Sequence, residues 1–121
     1  MTRLLYVDDE ADIREVAAMA LELDPDFEVR VCGSGTEAIP IAAEWKPDII
    51  LLDVMMPDMD GPTTFVRLQE QDETRGIPVL FITARTQNVE VARFEALGAR
   101  GVIAKPFEPM ALASIVRGYL M

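Results

Sequence analysis

Residues 49–61 read IILLDVMMPDMDG. Four large apolar residues, Ile49 to Leu52, run directly into Asp53, and a loop of methionines, aspartates, a proline and a glycine follows. The apolar run is too short for a buried helix and fits a strand covered on both faces, as in a parallel sheet. Asp53 then stands at the carboxyl end of that strand, where open α/β sheets place their sites. Taken alone, an aspartate closing a strand is equally a turn residue. Its meaning depends on what the other strands deliver to the same edge.

Upstream, Leu4-Leu5-Tyr6-Val7 is a short apolar run halted by Asp8-Asp9-Glu10. From Ala11 the period becomes helical through Ile13, Val16, Ala17 and Ala20, and Asp24-Pro25 ends it. Phe27, Val29 and Val31 alternate with Glu28 and Arg30, as in an edge strand with one wet face. Ser34-Gly35-Thr36-Glu37 has the form of a capping box opening a second helix, inside which Pro40 should remove one backbone hydrogen bond. Downstream of the quoted stretch, Gly61-Pro62 starts a third helix with proline at its first position. Val79 to Ile82 form a fourth strand ending in Thr83, and a helix over about Asn88 to Leu97 is stopped by Gly98. Val102-Ile103-Ala104 is a fifth strand ending in Lys105-Pro106-Phe107, and a last helix covers Pro109 to Tyr119.

Strands alternating with helices mean a parallel sheet with helices on both faces and right-handed crossovers, all in one domain over residues 1–121. The strands end in Asp8-Asp9, Cys32-Gly33, Asp53, Thr83 and Lys105. All but the edge strand deliver a charged or hydroxyl residue to one edge of the sheet. That convergence makes a site.

Bulk composition bounds what the site can do. Half of the 121 residues are hydrophobic, enough for a real core. The net charge of −10, from 11 basic against 21 acidic residues, argues against direct contact with nucleic acid or an anionic membrane. A lone Cys32 excludes an internal disulfide or a thiolate metal cluster, and its place at a strand end suggests a small buried hydrophobe. The absence of histidine removes Ser-His-Asp and Cys-His chemistry, histidine metal sites and any histidine phosphoacceptor. The opening MTRLLYVDDE meets acidic residues too early for a signal peptide, and no apolar run approaches the ~20 residues of a membrane span. A cytoplasmic location is expected.

Asp8, Asp9 and Asp53 crowd three carboxylates together, and like charges at close range resist joint ionisation without a compensating cation. Lys105 cannot balance all three. An all-oxygen carboxylate site without histidine or cysteine points to Mg²⁺. The plainer reading of Asp8-Asp9 is a pair capping the next helix. Asp53 and Lys105 in the same crevice favour the metal. A carboxylate is also a nucleophile toward phosphorus, forming an acyl phosphate. The phosphoryl oxygens then need a metal on one side and cationic or hydroxyl groups on the other. Asp53 as nucleophile, Mg²⁺ on Asp9 and Asp53, and Lys105 with Thr83 on the phosphoryl oxygens give each role one candidate.

With YVDDE after the first strand, LLDVMMPDMDG around the acceptor, ITA after the fourth and AKPF after the fifth, essentially the whole chain resembles the response-regulator receiver domain of two-component signalling. The resemblance implies a flavodoxin-like (βα)5 fold with strand order 2-1-3-4-5. It implies phosphorylation of Asp53 by a partner histidine kinase or histidine phosphotransfer protein, in a signalling domain that assists its own phosphorylation and dephosphorylation. Asp8 and Asp9 match the family's acidic pair, and the Met55 carbonyl matches its third protein ligand to Mg²⁺. Thr83 and Lys105 match the residues that sense the phosphoryl group and move the loops. A cis Lys105-Pro106 bond is expected from the tight turn and from the family alike. The downstream effector or output domain is left unspecified.

One residue departs from the pattern. The family usually carries Tyr or Phe three residues before the lysine, and this chain has Val102. That departure sustains an alternative, a pseudo-receiver acting as an interaction module without phosphorylation. A flavodoxin-like electron carrier fits less well, because Asp8-Asp9-Glu10 would repel a flavin phosphate. An aspartyl phosphatase of the haloacid dehalogenase kind would want a second Asp where Met55 stands. Side chains two residues beyond Asp53 and Thr83, Met55 and Arg85, are placed to gate water and so to set how long an acyl phosphate lasts.

Overall fold

The computed structural model describes residues 1–120. Its elements alternate: β1 (Thr2–Val7), α1 (Ala11–Leu21), β2 (Phe27–Cys32), α2 (Gly35–Trp45), β3 (Ile49–Asp53), α3 (Gly61–Gln69), β4 (Val79–Thr83), α4 (Asn88–Leu97), β5 (Gly101–Ala104) and α5 (Pro109–Leu120). All strand pairs are parallel, in the order β2-β1-β3-β4-β5. This is the flavodoxin-like order expected from the sequence.

Strand composition follows position in the sheet. Every residue of β3 and β4 is buried, as are Leu4 to Val7 of β1, because helices cover both faces there. Each Leu or Ile so buried contributes roughly 1.5–3 kcal/mol relative to exposure. On one face, Leu5, Val7, Ile50, Leu52 and Phe81 meet Ala38, Ala42, Phe65, Leu68 and Phe94 from α2, α3 and α4. On the other, Leu4, Tyr6, Leu51 and Ile82 meet Ala17, Leu21, Leu112 and Val116 from α1 and α5. The edge strand β2 buries only Phe27 and Cys32, so Val31, expected on the dry face, is exposed. Val16 likewise faces outward from α1, and Leu21 takes the core position instead.

Helix ends explain the turns into the site. Ser34 Oγ accepts from Glu37 N at 3.1 Å, and Glu37 Oε1 accepts from Gly33 N at 3.0 Å, giving the predicted capping box. Asp60, rather than a residue of the Gly61-Pro62 pair, caps α3, its carboxylate accepting from Thr63 N at 2.9 Å. Pro62 therefore sits at the second helical position, one later than the sequence suggested. Gly98 ends α4 with φ of 114°, a left-handed conformation that favours glycine. The Lys105-Pro106 bond is cis, as expected.

At the opposite edge of the sheet, Trp45 closes α2 and is buried against the start of β1. Arg3 donates to its carbonyl at 2.7 Å, and the Arg3 and Arg30 guanidinium carbons lie 5.5 and 4.7 Å from its ring centroid. On the other face of the sheet, Arg117 of α5 donates to Asp24 Oδ2 at 2.8 Å and Asp26 Oδ2 at 3.1 Å while stacking on Phe27. Among the described residues no helix is long and apolar enough to cross a membrane.

Candidate functional site

The carboxyl ends of β1, β3, β4 and β5 meet in one crevice. Asp8 directly follows β1, Asp53 and Thr83 close β3 and β4, and Lys105 directly follows β5. Pairing sets their level: Asp53 lies opposite Ile82, and Thr83 opposite Ala104. All of the residues expected at this edge are therefore brought there, with Asp8, Asp53 and Thr83 buried and Asp9 exposed.

The β3–α3 loop closes tightly over the strand end. Gly61 N donates to Val54 O at 2.9 Å, and a Cβ on Gly61 would come within 2.5 Å of the Asp53 carbonyl oxygen. Only glycine permits that approach. The effect is to seat Asp53 rigidly, 3 % exposed.

Counting lone pairs shows what each carboxylate has left to offer. Asp8 Oδ2 accepts from Lys105 Nζ at 3.0 Å and from the Tyr6 hydroxyl at 3.2 Å, and Asp8 Oδ1 accepts from Glu10 N at 3.0 Å. Asp53 Oδ2 accepts from Lys105 Nζ at 3.4 Å. One oxygen from each of Asp8, Asp9 and Asp53 lies within 4.8 Å of the others. A hard divalent ion fits this donor set: three carboxylates held close, no nitrogen or sulfur ligand, and open lone pairs on Asp9, Asp53 and Asp8 Oδ1.

The electrostatics carry the imprint of that crowding. Burial, then the charge of Asp8, pushes the Asp53 carboxyl up to about 6, with Lys105 opposing. Burial works against the Lys105 ammonium, but its hydrogen bond to Asp8 and the charges of Asp53 and Asp8 outweigh it and hold the group above its ordinary value. Tyr6 is raised by burial and by Asp8, so its hydroxyl remains a donor.

Beside the acidic centre, a cleft of about 260 Å³ opens between the β3–α3 loop, the β4–α4 loop and α4. Met55, Asp60, Thr83, Arg85 and Phe94 are among its walls. Met55 is 73 % exposed, and Thr83 Oγ1 accepts from Arg85 N at 3.0 Å. Val102 is half-buried beneath α4, packed against the same core as Phe94.

Several neighbours escaped the sequence reading. Tyr6 reaches Asp8 because residues two apart share a strand face, a signal available in YVD. Asp60 carried a legible signal too, as an Asp three residues before Thr63 at a helix start. Arg14, which donates to the Asp8 carbonyl at 2.8 Å, and Phe94 depend on tertiary packing and left none.

A family model described as the response regulator receiver domain matches residues 4–117. The DNA-binding response regulator MtrA of Mycolicibacterium paratuberculosis is 37% identical over 118 residues, covering 98% of this chain and 51% of its own length. The response regulator Rre1 of Synechocystis is 35% identical over 117 residues, covering 97% of this chain and 51% of its own. The chain thus spans about half the length of these curated relatives. Among solved structures, the chemotaxis protein CheY4 of Vibrio cholerae superposes with a TM-score of 0.89 at 31% identity, covering 98% of both chains. The signal receiver domain of a signal transduction histidine kinase from Syntrophus aciditrophicus gives 0.83 at 32% identity, covering 99% of this chain and 90% of that one. With the fold, the strand order and the family model in agreement, the chain belongs to the response regulator receiver domains of two-component signalling.

Proposed function

We propose that this receiver domain is an active phosphoacceptor, taking a phosphoryl group onto Asp53 from the phosphohistidine of a histidine kinase or histidine phosphotransfer protein. The observation that carries the reading is the seating of Asp53, a buried carboxylate at a strand end that shares the Lys105 ammonium with Asp8. A free Asp53 oxygen attacks phosphorus, a P–O bond forms, and the P–N bond breaks with its electron pair returning to the donor imidazole. Lys105 and the Thr83 hydroxyl accompany the transferred oxygens as charge gathers on them. Asp8, Asp9, Asp53 and the Met55 carbonyl would hold Mg²⁺, which when bound would help neutralise charge on the phosphoryl oxygens. These 121 residues contain no histidine, so the phosphoryl group comes from a phosphohistidine outside them or from a small acyl phosphate.

An apolar trough supports a helical donor. Ile13, Val16, Pro106, Phe107 and Pro109 line its upper part beside Lys105, and it continues between α1 and α5 along Met19, Leu23 and Met110. Such a groove suits the apolar stripe of a partner helix, delivering a side chain to the acidic edge. With a net charge of −10 the domain offers no field for a polyanion, so direct nucleic-acid contact is not part of the proposal.

The test is incubation with Mg²⁺ and acetyl phosphate, followed by intact-protein mass. Wild type should gain one phosphoryl group and Asp53→Asn none. An unmodified wild type would favour the pseudo-receiver reading that Val102 leaves open.

A further inference from the structure

Arg14 is a cation in acidic company that spends itself on a neutral group. Glu10, Asp12 and Glu15 flank it in sequence, yet among the described residues it makes no ion pair. Half-buried on α1, it donates from Nη1 to the backbone carbonyl of Asp8 at 2.8 Å. A hydrogen bond with one charged partner is among the stronger kinds.

That carbonyl belongs to the peptide joining Asp8 to Asp9. The peptide is planar, so holding its oxygen fixes the direction in which the Asp9 Cα lies. Asp8 itself has other ties. Its N–H donates to the Cys32 carbonyl at 3.2 Å, and Tyr6, Glu10 and Lys105 hold its carboxylate. Asp9 is exposed with its lone pairs open, yet one of its oxygens lies within 4.8 Å of those of Asp8 and Asp53. Like charges resist that approach, so the backbone has to impose it.

Gly33, just past β2, makes room for the guanidinium. A Cβ there would stand 3.1 Å from Arg14 Nη1 and 3.4 Å from Glu37 Oε1. The strand that delivers no polar side chain to the site thus contributes a gap.

We propose that Arg14 is a positioning residue for the metal site, holding the Asp8–Asp9 peptide so that the Asp9 carboxylate joins those of Asp8 and Asp53. The proposal rests on the Mg²⁺ part of the phosphoacceptor reading and adds to it a residue that touches neither ion nor phosphoryl group.

The experiment follows amide ¹H–¹⁵N shifts of the 121-residue chain across a Mg²⁺ titration, which also reads weak affinities. Wild type, Arg14→Met, Asp9→Ala and the double variant are compared. On charge alone, removing a cation near a divalent site should tighten the ion. Positioning has the opposite sign, and Arg14→Met should weaken Mg²⁺ about tenfold. In the Asp9→Ala background the same change should matter less than about twofold, because no carboxylate remains to be placed. Gly33→Ala keeps the charge and crowds the guanidinium. It should weaken Mg²⁺ by about twofold or more, again only where Asp9 is present, and it carries the test if Arg14→Met does not fold. Affinity that is unchanged or tighter in the folded variants, or weakened equally with and without Asp9, overturns the inference alone. A wild type without Mg²⁺-dependent shifts overturns the metal reading and the inference with it.

Discussion

Lys105 Nζ stands 3.0 Å from Asp8 Oδ2, across 97 positions of sequence, and one ammonium is thereby wedged into an acidic centre. The contact stabilises the crowded carboxylates and at the same time occupies an oxygen on each of Asp8 and Asp53. A divalent ion entering the site must share those carboxylates with a resident cation.

Opposite effects on Mg²⁺ affinity are expected from the two sides of that competition. Lys105→Met removes the competitor and should tighten Mg²⁺ on the order of tenfold. Asp9→Ala removes the most open ligand and should weaken it on the order of tenfold or more. Calorimetric titration reads both. A weaker Lys105→Met site would mean that the ammonium orders the ligands rather than opposing the ion.

Asp53 links stability to pH. Its folded value of about 6 lies above its ordinary value of 3.8. The folded state therefore holds the proton more tightly than the unfolded chain, and stability is lost as pH rises between those values. Asp53→Asn removes the penalty. Without divalent ions at pH 7 it should be more stable than wild type by on the order of 1–3 kcal/mol, the gap closing toward pH 4. Urea denaturation across that range is the measurement, and a gap independent of pH would refute the assignment.

The clasp at the far edge has the reverse dependence. Arg117 and the Asp26 backbone amide hold the Asp24 carboxyl below its ordinary value, and Thr2 with Arg117 do the same for Asp26. Depressed carboxylates contribute stability above the ordinary value of 3.8 that is lost as pH falls through the depressed ones. Arg117→Met should flatten the loss of stability below pH 4 relative to wild type. Parallel acid-denaturation curves would show that the clasp carries no net stabilisation.

Phosphoryl lifetime should depend on the cleft walls. Met55 cannot orient water, while the Arg85 cation can cover phosphoryl oxygens. We expect slow decay once donor is removed, and decay about tenfold faster or more in Met55→Asn/Arg85→Glu. An unchanged rate in that variant would show that neither side chain gates the water.

The parts of this molecule legible in sequence are those governed by local period and by strand ends. IILLD and VLFIT read as doubly covered strands because nothing polar interrupts them, and the polar residues at the strand ends marked out the crevice. Cap chemistry at Ser34 and the stop at Gly98 were equally local. What could not be read were contacts made by docking: Val31 is apolar yet faces outward because β2 pairs on one side only, and Val16 lies exposed along the trough where α1 meets α5. α4 lacks a clear apolar stripe, so nothing local marked Phe94 as its anchor. The Tyr6–Asp8 contact, by contrast, was available in YVD, since residues two apart on a strand share a face.

The setting of Trp45 has a practical corollary for optical work. It is the chain's only indole, buried against Arg3 and Arg30 at the sheet edge remote from Asp53. Its emission should be nearly blind to Mg²⁺ and to phosphorylation, and should change in a single step when the sheet edge opens. That silence makes it a clean denaturation probe, one whose baseline stays put while the ligands of the acidic centre are varied.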